Sequence, residues 1–177
     1  TDGVIILGAA INDEICTKVE KDEVTHLFID RYTEETKTNC ICIDNKGGAI
    51  TAVNHLFSLG HRKIAYIGAS PVFSAGLYRE QGYLEAMQKL GCPLREDYIC
   101  RGDWTEKSGY NALIKLLQTN DPPTAIFCAS DRMAFGALQA AQDKGVKVPD
   151  ELSIIGFDNI QFSAYTSPGL TTLSVPM

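Results

Sequence analysis

The sequence lacks the positive charge that a nucleic-acid-binding surface needs. It has 16 Lys and Arg residues against 22 Asp and Glu residues, a formal net charge of −6 over 177 residues. Because phosphate binding depends on clustered Lys and Arg, this balance argues against DNA or RNA binding by this piece of chain. No apolar run approaches the length of a membrane span, so we expect no membrane partner.

The six cysteines lack both the spacing of metal sites and the context of a disulfide framework. They form no C-x-x-C pair, no histidine stands beside them at zinc-ligand spacing, and each lies in or beside an apolar run. This usage is typical of reduced, mostly buried thiols. We therefore expect a cytoplasmic protein with no bound metal and no other cofactor.

Sequence motifs of the common α/β enzymes are also absent. The chain has no Gly-x-x-x-x-Gly-Lys-Ser/Thr phosphate loop, no Gly-x-Gly-x-x-Gly, no Gly-x-Ser-x-Gly and no His-x-x-Glu-His cluster. His26 precedes a predicted strand, His55 lies within a predicted helix and His61 follows that helix, and none of these settings indicates catalysis. Asp103 and Asp158 resemble an acid and a base, but no nucleophile accompanies them. We expect no enzyme, and turnover of a bound ligand would reveal one.

What the sequence does contain is a regular alternation of apolar runs and helical patterns. Short apolar runs predict strands at residues 4–7, 27–29, 40–43, 64–67, 98–101, 125–128 and 152–155, the last stopped by Gly156. Helical spacing predicts a brief helix after Asp13 with Ile15 and Val19 facing inward, and longer helices at 46–59, 76–90, 105–117 and 131–144. The polar stretch at 33–39 is predicted to be a loop or an exposed edge. The alternation predicts an α/β fold with mainly parallel sheets and right-handed crossovers.

Polar residues collect directly after the predicted strands. They are Gly8, Asp30-Arg31, Asp44, Ser70, Asp103-Trp104, Ser130-Asp131 and Asp158-Asn159. Because parallel strands end at the same edge of a sheet, these side chains are expected to converge on one crevice, which predicts a ligand site rich in hydrogen-bond acceptors. Helix capping is the alternative for individual members, Asp44 and Asp131 above all.

Several stretches together resemble the effector-binding domain of the lactose-repressor/galactose-repressor family of bacterial transcription regulators. They are Leu59-Gly60-His61-Arg62-Lys63-Ile64-Ala65, Arg79-x-x-Gly82-Tyr83, Gly102-Asp103-Trp104, Pro123-Thr124-Ala125-Ile126-Phe127, Ser130-Asp131-Arg132-Met133-Ala134, Ser153-Ile154-Ile155-Gly156-Phe157-Asp158 and Pro168-Gly169-Leu170-Thr171-Thr172. Each stretch alone is a weak signal. Their shared order and spacing cover essentially the whole chain.

The resemblance implies a periplasmic-binding-protein-like fold of type I, in which two Rossmann-like lobes enclose a ligand. By that analogy residues 1–44 are the later part of the amino-terminal lobe, 45–175 the carboxyl-terminal lobe and 176–177 a return to the first lobe. The chain begins almost on a strand and stops without a helix, so we expect a fragment with an incomplete amino-terminal lobe. A DNA-binding headpiece is expected outside it, and operator binding only through that headpiece.

The resemblance also implies ligand-binding roles for individual residues. Arg79 corresponds to the family's ligand-anchoring arginine, Asp158 to its ligand carboxylate and Trp104 to its aromatic platform. A guanidinium offers a fork of donors, a carboxylate accepts hydroxyl protons and an indole face packs on a sugar ring or a base. Ser130 stands where several members have an asparagine, and Ala75 where a hydroxyl residue often precedes the arginine. Asp131, next to Ser130, and Asp30 and Arg31 from the first lobe complete the expected set.

These implications lead to a functional expectation with three alternatives. We expect an effector-binding domain of a homodimeric regulator, with a sugar as the small-molecule effector. A purine- or nucleoside-responsive regulator is one alternative. A secreted sugar-binding transport protein shares the fold, but the cysteine usage argues against it. The last alternative is the α/β enzyme, which the missing catalytic motifs disfavour.

Overall fold

Strands and helices alternate along the described part of the chain, which comprises residues 2–8, 10–32 and 39–175 of a computed structural model. The strands are β1 (Val4–Leu7), β2 (His26–Ile29), β3 (Cys40–Ile41), β4 (Ile64–Ala69), β5 (Ile99–Gly102), β6 (Ala125–Cys128), β7 (Ser153–Asp158) and β8 (Thr171–Ser174). The helices are α1 (Glu14–Lys21), α2 (Asn45–Ser58), α3 (Ser74–Lys89), α4 (Glu106–Leu117) and α5 (Asp131–Asp143), with 3-10 turns at Glu96–Tyr98 and Gln161–Tyr165. Residues 33–38 of the predicted loop and the predicted return at 176–177 lie outside this description.

The strands form two parallel sheets, as the α/β alternation predicts. One sheet has the order β1-β2-β3 and the other the order β5-β4-β6-β7-β8, and every pairing in both is parallel. In the larger sheet the strand order reverses beside β4. Such a reversal point opens a crevice beyond the carboxyl ends of the strands, where open α/β sheets bind ligands.

Helices cover both faces of the larger sheet. Ile64 and Tyr66 of β4 pack in the core formed with α2 and α3, whereas Ala65 and Ile67 pack in the core formed with α4 and α5. All four side chains are fully buried. Burial on both faces explains why this strand reads as a continuous apolar run. None of the helices in the described ranges has both the length and the apolar character that a bilayer span requires.

Two glycines bring α4 and α5 into close contact. A Cβ atom on Gly109 would collide with the carbonyl oxygen of Met133, and a Cβ atom on Gly136 would collide with the carbonyl oxygen of Glu106. Both obstacles are backbone atoms, which cannot move aside as a side chain can. The close packing of these helices therefore depends on the absence of side chains at both positions.

Apart from shifts of one or two residues at the ends of elements, three details differ from the sequence-based expectations. β7 does not stop at Gly156 but continues to Asp158, which becomes the last residue of the strand. Ile15, expected inside, is 69% exposed, and α1 buries Cys16 instead. β8 was not predicted, because its Thr171–Ser174 segment is short and mostly polar and has only one large apolar residue.

Candidate functional site

A cleft lies where the carboxyl ends of strands from both sheets meet α3. Its volume is about 350 Å³, and it is lined by Gly8, Asp30, Phe73, Ala75, Arg79, Trp104 and Asp158. Gly8 follows β1, Asp30 follows β2, Asp158 ends β7 and Arg79 lies in the second turn of α3. The structure thus brings together four of the residues that the sequence nominated, Asp30, Arg79, Trp104 and Asp158.

Arg79 is held almost rigidly within the protein. It is only 3% exposed. Its Nε donates to Asn45 Oδ1 at 2.8 Å, and its Nη1 donates to the Ala129 carbonyl oxygen at 2.5 Å and to Asp158 Oδ1 at 3.1 Å. The guanidinium also lies 3.7 Å from the centroid of the Phe157 ring. These contacts fix the planar donor fork before any ligand arrives, which lowers the entropy lost on binding.

The two carboxylates of the cleft lie in an environment that disfavours their charge. Burial raises the pKa of Asp158 to about 6, with smaller upward contributions from Asp131 and Asp30, while Arg79 acts in the opposite direction. Burial likewise raises the pKa of Asp30, and Arg79 opposes that shift. Asp30 Oδ1 is buried and has no hydrogen-bond partner among the described residues. An unpartnered buried acceptor at a cleft is a place for a donor from a ligand.

Backbone strain is concentrated around the same cleft. Asp30, Trp104 and Asp158 have φ angles of 58°, 68° and 112°, and the neighbouring Gly8 has a φ angle of 62°. Left-handed backbone at residues with side chains costs on the order of 1 to 3 kcal/mol each and persists only where the surroundings impose it. Such residues cluster at functional sites, so the strain independently indicates a binding cleft here.

Trp104 reaches the cleft from the turn between β5 and α4. Thr105 caps α4 by accepting a hydrogen bond from the Ser108 amide, and Asp103 accepts from the Thr105 amide and hydroxyl. The turn is therefore fixed by hydrogen bonds that span Trp104. The indole lies 5.7 Å from the Arg79 guanidinium. An aromatic surface and a donor fork thus lie next to each other, an arrangement that suits a flat ring with polar edges.

Arg31 is not part of the cleft, which corrects the sequence-based expectation. It is 3% exposed. Its guanidinium donates to the carbonyl oxygens of Ala10 and Ile11, contacts Glu20 at 3.4 Å and lies 4.6 Å above the Phe28 ring. Arg31 therefore ties α1 and the segment before it to β2 and has a structural role in this sheet.

Ser130 and Asp131 do not line the cleft either. Ser130 Oγ accepts from the Met133 amide and so caps α5. Asp131 is fully buried, and its carboxylate accepts hydrogen bonds from three neighbouring groups. The cap expected at Asp131 is thus supplied by Ser130. The other predicted cap is confirmed, because Asp44 Oδ1 accepts from the Gly47 amide at the start of α2.

Sequence reasoning missed two residues of the site. Phe73 lines the cleft from the position just before α3, and Asn45 holds Arg79 Nε from the start of α2. A large apolar residue in a strand-to-helix loop was the available signal for Phe73. Asn45 carried no signal of its own, because its partner is 34 residues away in the sequence.

The two sheets are also bridged directly beside the cleft. Ser74 Oγ accepts from the Tyr32 amide at 2.9 Å and donates to the Tyr32 carbonyl oxygen at 2.8 Å. The rings of Tyr32 and Tyr78 stack with 4.4 Å between centroids and 4° between planes. The Ile11 amide donates to the Val72 carbonyl oxygen at 2.8 Å. The start of α3 is thus attached to the smaller sheet.

The chain matches a protein family model and several curated proteins. The profile of the periplasmic binding protein-like domain matches residues 53–177. The HTH-type transcriptional repressor CytR of Escherichia coli strain K12 is 38% identical over 175 residues, which are 99% of this chain and 51% of that protein. The chain spans about half the length of the curated relatives it matches.

Solved structures of transcriptional regulators also match almost the whole of this chain. A regulatory protein of the LacI family from Chloroflexus aggregans superimposes with a TM-score of 0.93 at 32% identity, over 99% of this chain and 63% of that one. The transcriptional regulator CelR in complex with cellobiose superimposes with a TM-score of 0.93 at 31% identity, over 99% of this chain and 54% of that one.

Proposed function

This chain belongs to the periplasmic binding protein-like family, in the branch of the lactose-repressor/galactose-repressor regulators that its sequence resembles, and from that premise we propose that it is an effector-binding domain of a bacterial transcriptional regulator. The regulator works as a cytoplasmic homodimer and contacts operator DNA through a headpiece outside this sequence. It binds its effector without turning it over. Residues 1–44 contribute to one lobe, 45–175 form the other and 176–177 lead back to the first.

The effector is a small sugar that lies in the cleft. Asp158 and Asp30 accept hydrogen bonds from its hydroxyl groups, the Arg79 fork donates to its oxygen atoms and Trp104 packs against its ring. The observation that carries this assignment is the Arg79–Asp158 pair of 3.1 Å beside an indole, in a cleft of about 350 Å³. That volume lies within the range of small-molecule sites.

The charges of the cleft favour an uncharged ligand. The described lining residues include two carboxylates, at Asp30 and Asp158, and one guanidinium, at Arg79. Arg79 is already matched by Asp158, so Asp30 adds negative charge wherever it is ionised, and that charge repels a carboxylate or phosphate group on a ligand. The similar regulator CelR, solved in complex with cellobiose, offers a neutral sugar as the first candidate.

Effector binding regulates the protein by changing the balance between open and closed arrangements of the two sheets. A ligand shifts such a balance only if it binds one arrangement more tightly than the other. A cleft with Asp30 on one sheet and Asp158 on the other meets that condition, because only a closed arrangement lets one ligand contact both. We assign the contacts between Ser74 and Tyr32, which are present in this structure, to the closed arrangement.

The test is a ligand panel that follows two signals. Cellobiose, monosaccharides, sugar phosphates and nucleosides are titrated while the emission of Trp104, the single tryptophan, and the melting temperature are recorded. A sugar at about 100 times its Kd should add about 2.7 kcal/mol to the free energy of unfolding. For a chain of this size that is a rise in Tm of roughly 5 to 10 °C.

A matched pair of variants controls the panel. Asp158→Asn should abolish both signals, whereas Asp150→Asn, an exposed position outside the cleft, should leave them unchanged. A response to nucleosides with silence from sugars would favour the nucleoside-responsive alternative. Silence from every ligand would contradict the proposed function.

A further inference from the structure

Asp131 is a fully buried carboxylate that does not line the cleft. Its Oδ2 atom accepts from the Ile160 amide at 2.9 Å and from the Ser163 hydroxyl at 2.6 Å. Its Oδ1 atom accepts from the Thr172 hydroxyl at 2.5 Å. Three donors around one carboxylate compensate for the cost of burying it, so the cluster is a stable unit.

The three donors lie on the segments that follow Asp158 in the chain. Ile160 is two residues beyond Asp158, Ser163 belongs to the 3-10 turn after it, and Thr172 lies on β8, which pairs with β7. Thr172 Oγ1 also accepts from the Asn159 amide at 3.3 Å. A single side chain on α5 thus connects the turn after β7 to the neighbouring strand.

That turn needs such support. Asp158 and Asn159 have successive positive φ angles of 112° and 54°, which residues with side chains adopt only when their surroundings hold them there. Gly156 shows that β7 is fitted around the same carboxylate, because a Cβ atom on Gly156 would collide with Asp131 Oδ1. The strand, the strained turn and the carboxylate therefore form one packed arrangement.

We propose that Asp131 is a positioning residue of the effector site, whose carboxylate holds the strained turn from Asp158 to Ile160 so that Asp158 faces Arg79 and the cleft. The binding role of Asp158 in this inference rests on the proposed function. Asp131 acts through Asp158 and does not touch the ligand. The charged groups that act on Asp158 are Arg79 from α3, Asp131 from α5 and Asp30 from the end of β2.

Two substitutions at Asp131 separate position from charge. In Asp131→Asn the amide oxygen can accept from Ile160 and Ser163 while the amide nitrogen donates to Thr172 Oγ1, so the turn stays in place and only the charge is lost. In Asp131→Ala all three hydrogen bonds are lost and the turn relaxes. Thr172→Val keeps the volume of the side chain and removes its hydrogen bonds to Asp131 and from the Asn159 amide, while the other two donors to Asp131 remain. It provides a milder variant if Asp131→Ala does not fold.

The first readout needs no ligand. The side-chain carboxyl of Asp158 is titrated by 13C NMR in the whole protein. The wild type is expected to titrate near pH 6, Asp131→Asn at a lower pH because a neighbouring negative charge is gone, and Asp131→Ala lower still, because the turn no longer keeps Asp158 buried. A merely structural role would lower the melting temperature and leave the pKa of Asp158 in Asp131→Ala equal to that in Asp131→Asn, because both variants lose the same charge.

The second readout is affinity for cellobiose, measured by calorimetry at a temperature where circular dichroism shows each variant folded. Asp131→Ala should weaken binding about 10- to 100-fold and Thr172→Val about 3- to 10-fold, while Asp131→Asn stays within about threefold of the wild type at pH 7.5. A wild-type affinity in Asp131→Ala, together with a pKa of Asp158 equal to that in Asp131→Asn, would overturn the inference. If cellobiose does not bind the wild type, that result bears on the proposed function, and the carboxyl titration decides the role of Asp131.

Discussion

Arg79 Nη1 lies 3.1 Å from Asp158 Oδ1 and joins α3 to the end of β7 across the floor of the cleft. The same guanidinium is fixed by Asn45 and by the Ala129 carbonyl oxygen. The pair therefore exists before a ligand arrives and does not have to be assembled by it. A preorganised donor and acceptor are what a small polar ligand needs for tight binding.

Arg79→Lys should weaken effector binding about 10- to 100-fold. A lysine ammonium is a compact donor that cannot reach Asn45, Ala129 and Asp158 at the same time, so the fork is lost although the charge is kept. Isothermal titration with the sugar that the panel identifies measures the change. Arg132→Lys is the matched control, because Arg132 forms an exposed pair with Glu106 outside the cleft. Equal affinities for the wild type and Arg79→Lys would contradict the anchoring role.

Asp158→Asn should change how stability depends on pH. The pKa of Asp158 is raised from its ordinary 3.8 to about 6 in the folded protein, so the folded state keeps a proton that the unfolded state releases. The carboxyl group therefore favours folding at low pH, and this contribution is lost as the pH rises through about 6. The difference in Tm, variant minus wild type, should increase between pH 4 and pH 7.

The variant has to be compared with the wild type because other groups also make the stability depend on pH. The raised pKa of Asp30, like that of Asp158, makes the folded state less stable as the pH rises. His61 acts in the opposite direction, because burial lowers its pKa and its stabilising contribution appears as the pH rises. Both groups are common to the wild type and the variant. A Tm difference that does not vary with pH would show that Asp158 is not buried as described.

The fold could be predicted largely from the sequence because local signals agreed with the tertiary structure. Ala125–Cys128 is a predicted strand with the observed limits, and the helix predicted at 105–117 is observed as α4 (Glu106–Leu117). The limit of β7 was wrong because glycine usually weakens a strand, whereas Gly156 is needed here to make room for Asp131. That requirement comes from a residue 25 positions away and leaves no local signal.

The candidate site could be predicted only in part for a similar reason. Position after a strand predicts both Asp30 and Arg31 as site residues, but the backbone turns at Asp30, where φ is 58°, and only Asp30 lines the cleft. Asp131 was nominated by the same rule, yet it faces β7 and β8 from the first turn of α5. Which side chain of such a pair faces the ligand depends on packing that the linear pattern does not contain.

Gly136→Ala should destabilise the protein by about 1 to 3 kcal/mol, because the new methyl group meets the Glu106 carbonyl oxygen in the contact between α4 and α5. For a chain of this length that lowers Tm by roughly 3 to 10 °C. Differential scanning calorimetry measures it. Gly169→Ala is the control, because a Cβ atom there meets no atom within 4 Å. A Gly136→Ala protein as stable as the control would mean that the helices are farther apart than described.

Ser74→Ala should weaken effector binding about 3- to 30-fold, because it removes both hydrogen bonds to Tyr32 and so disfavours the closed arrangement. Small-angle scattering with and without the effector should show that the variant needs more ligand to become compact. Ser58→Ala is the control, since that hydroxyl bonds only within α2 and is remote from the cleft. Unchanged affinity in Ser74→Ala would show that the contact does not contribute to closure.

The most direct measurement is a crystal structure of the protein with the sugar that raises its Tm most. We expect the sugar between the two sheets, with its hydroxyl groups on Asp158 and Asp30, an oxygen atom on Arg79 and its ring against Trp104. A sugar bound elsewhere, with no contact to the Arg79–Asp158 pair, would contradict the proposed effector site.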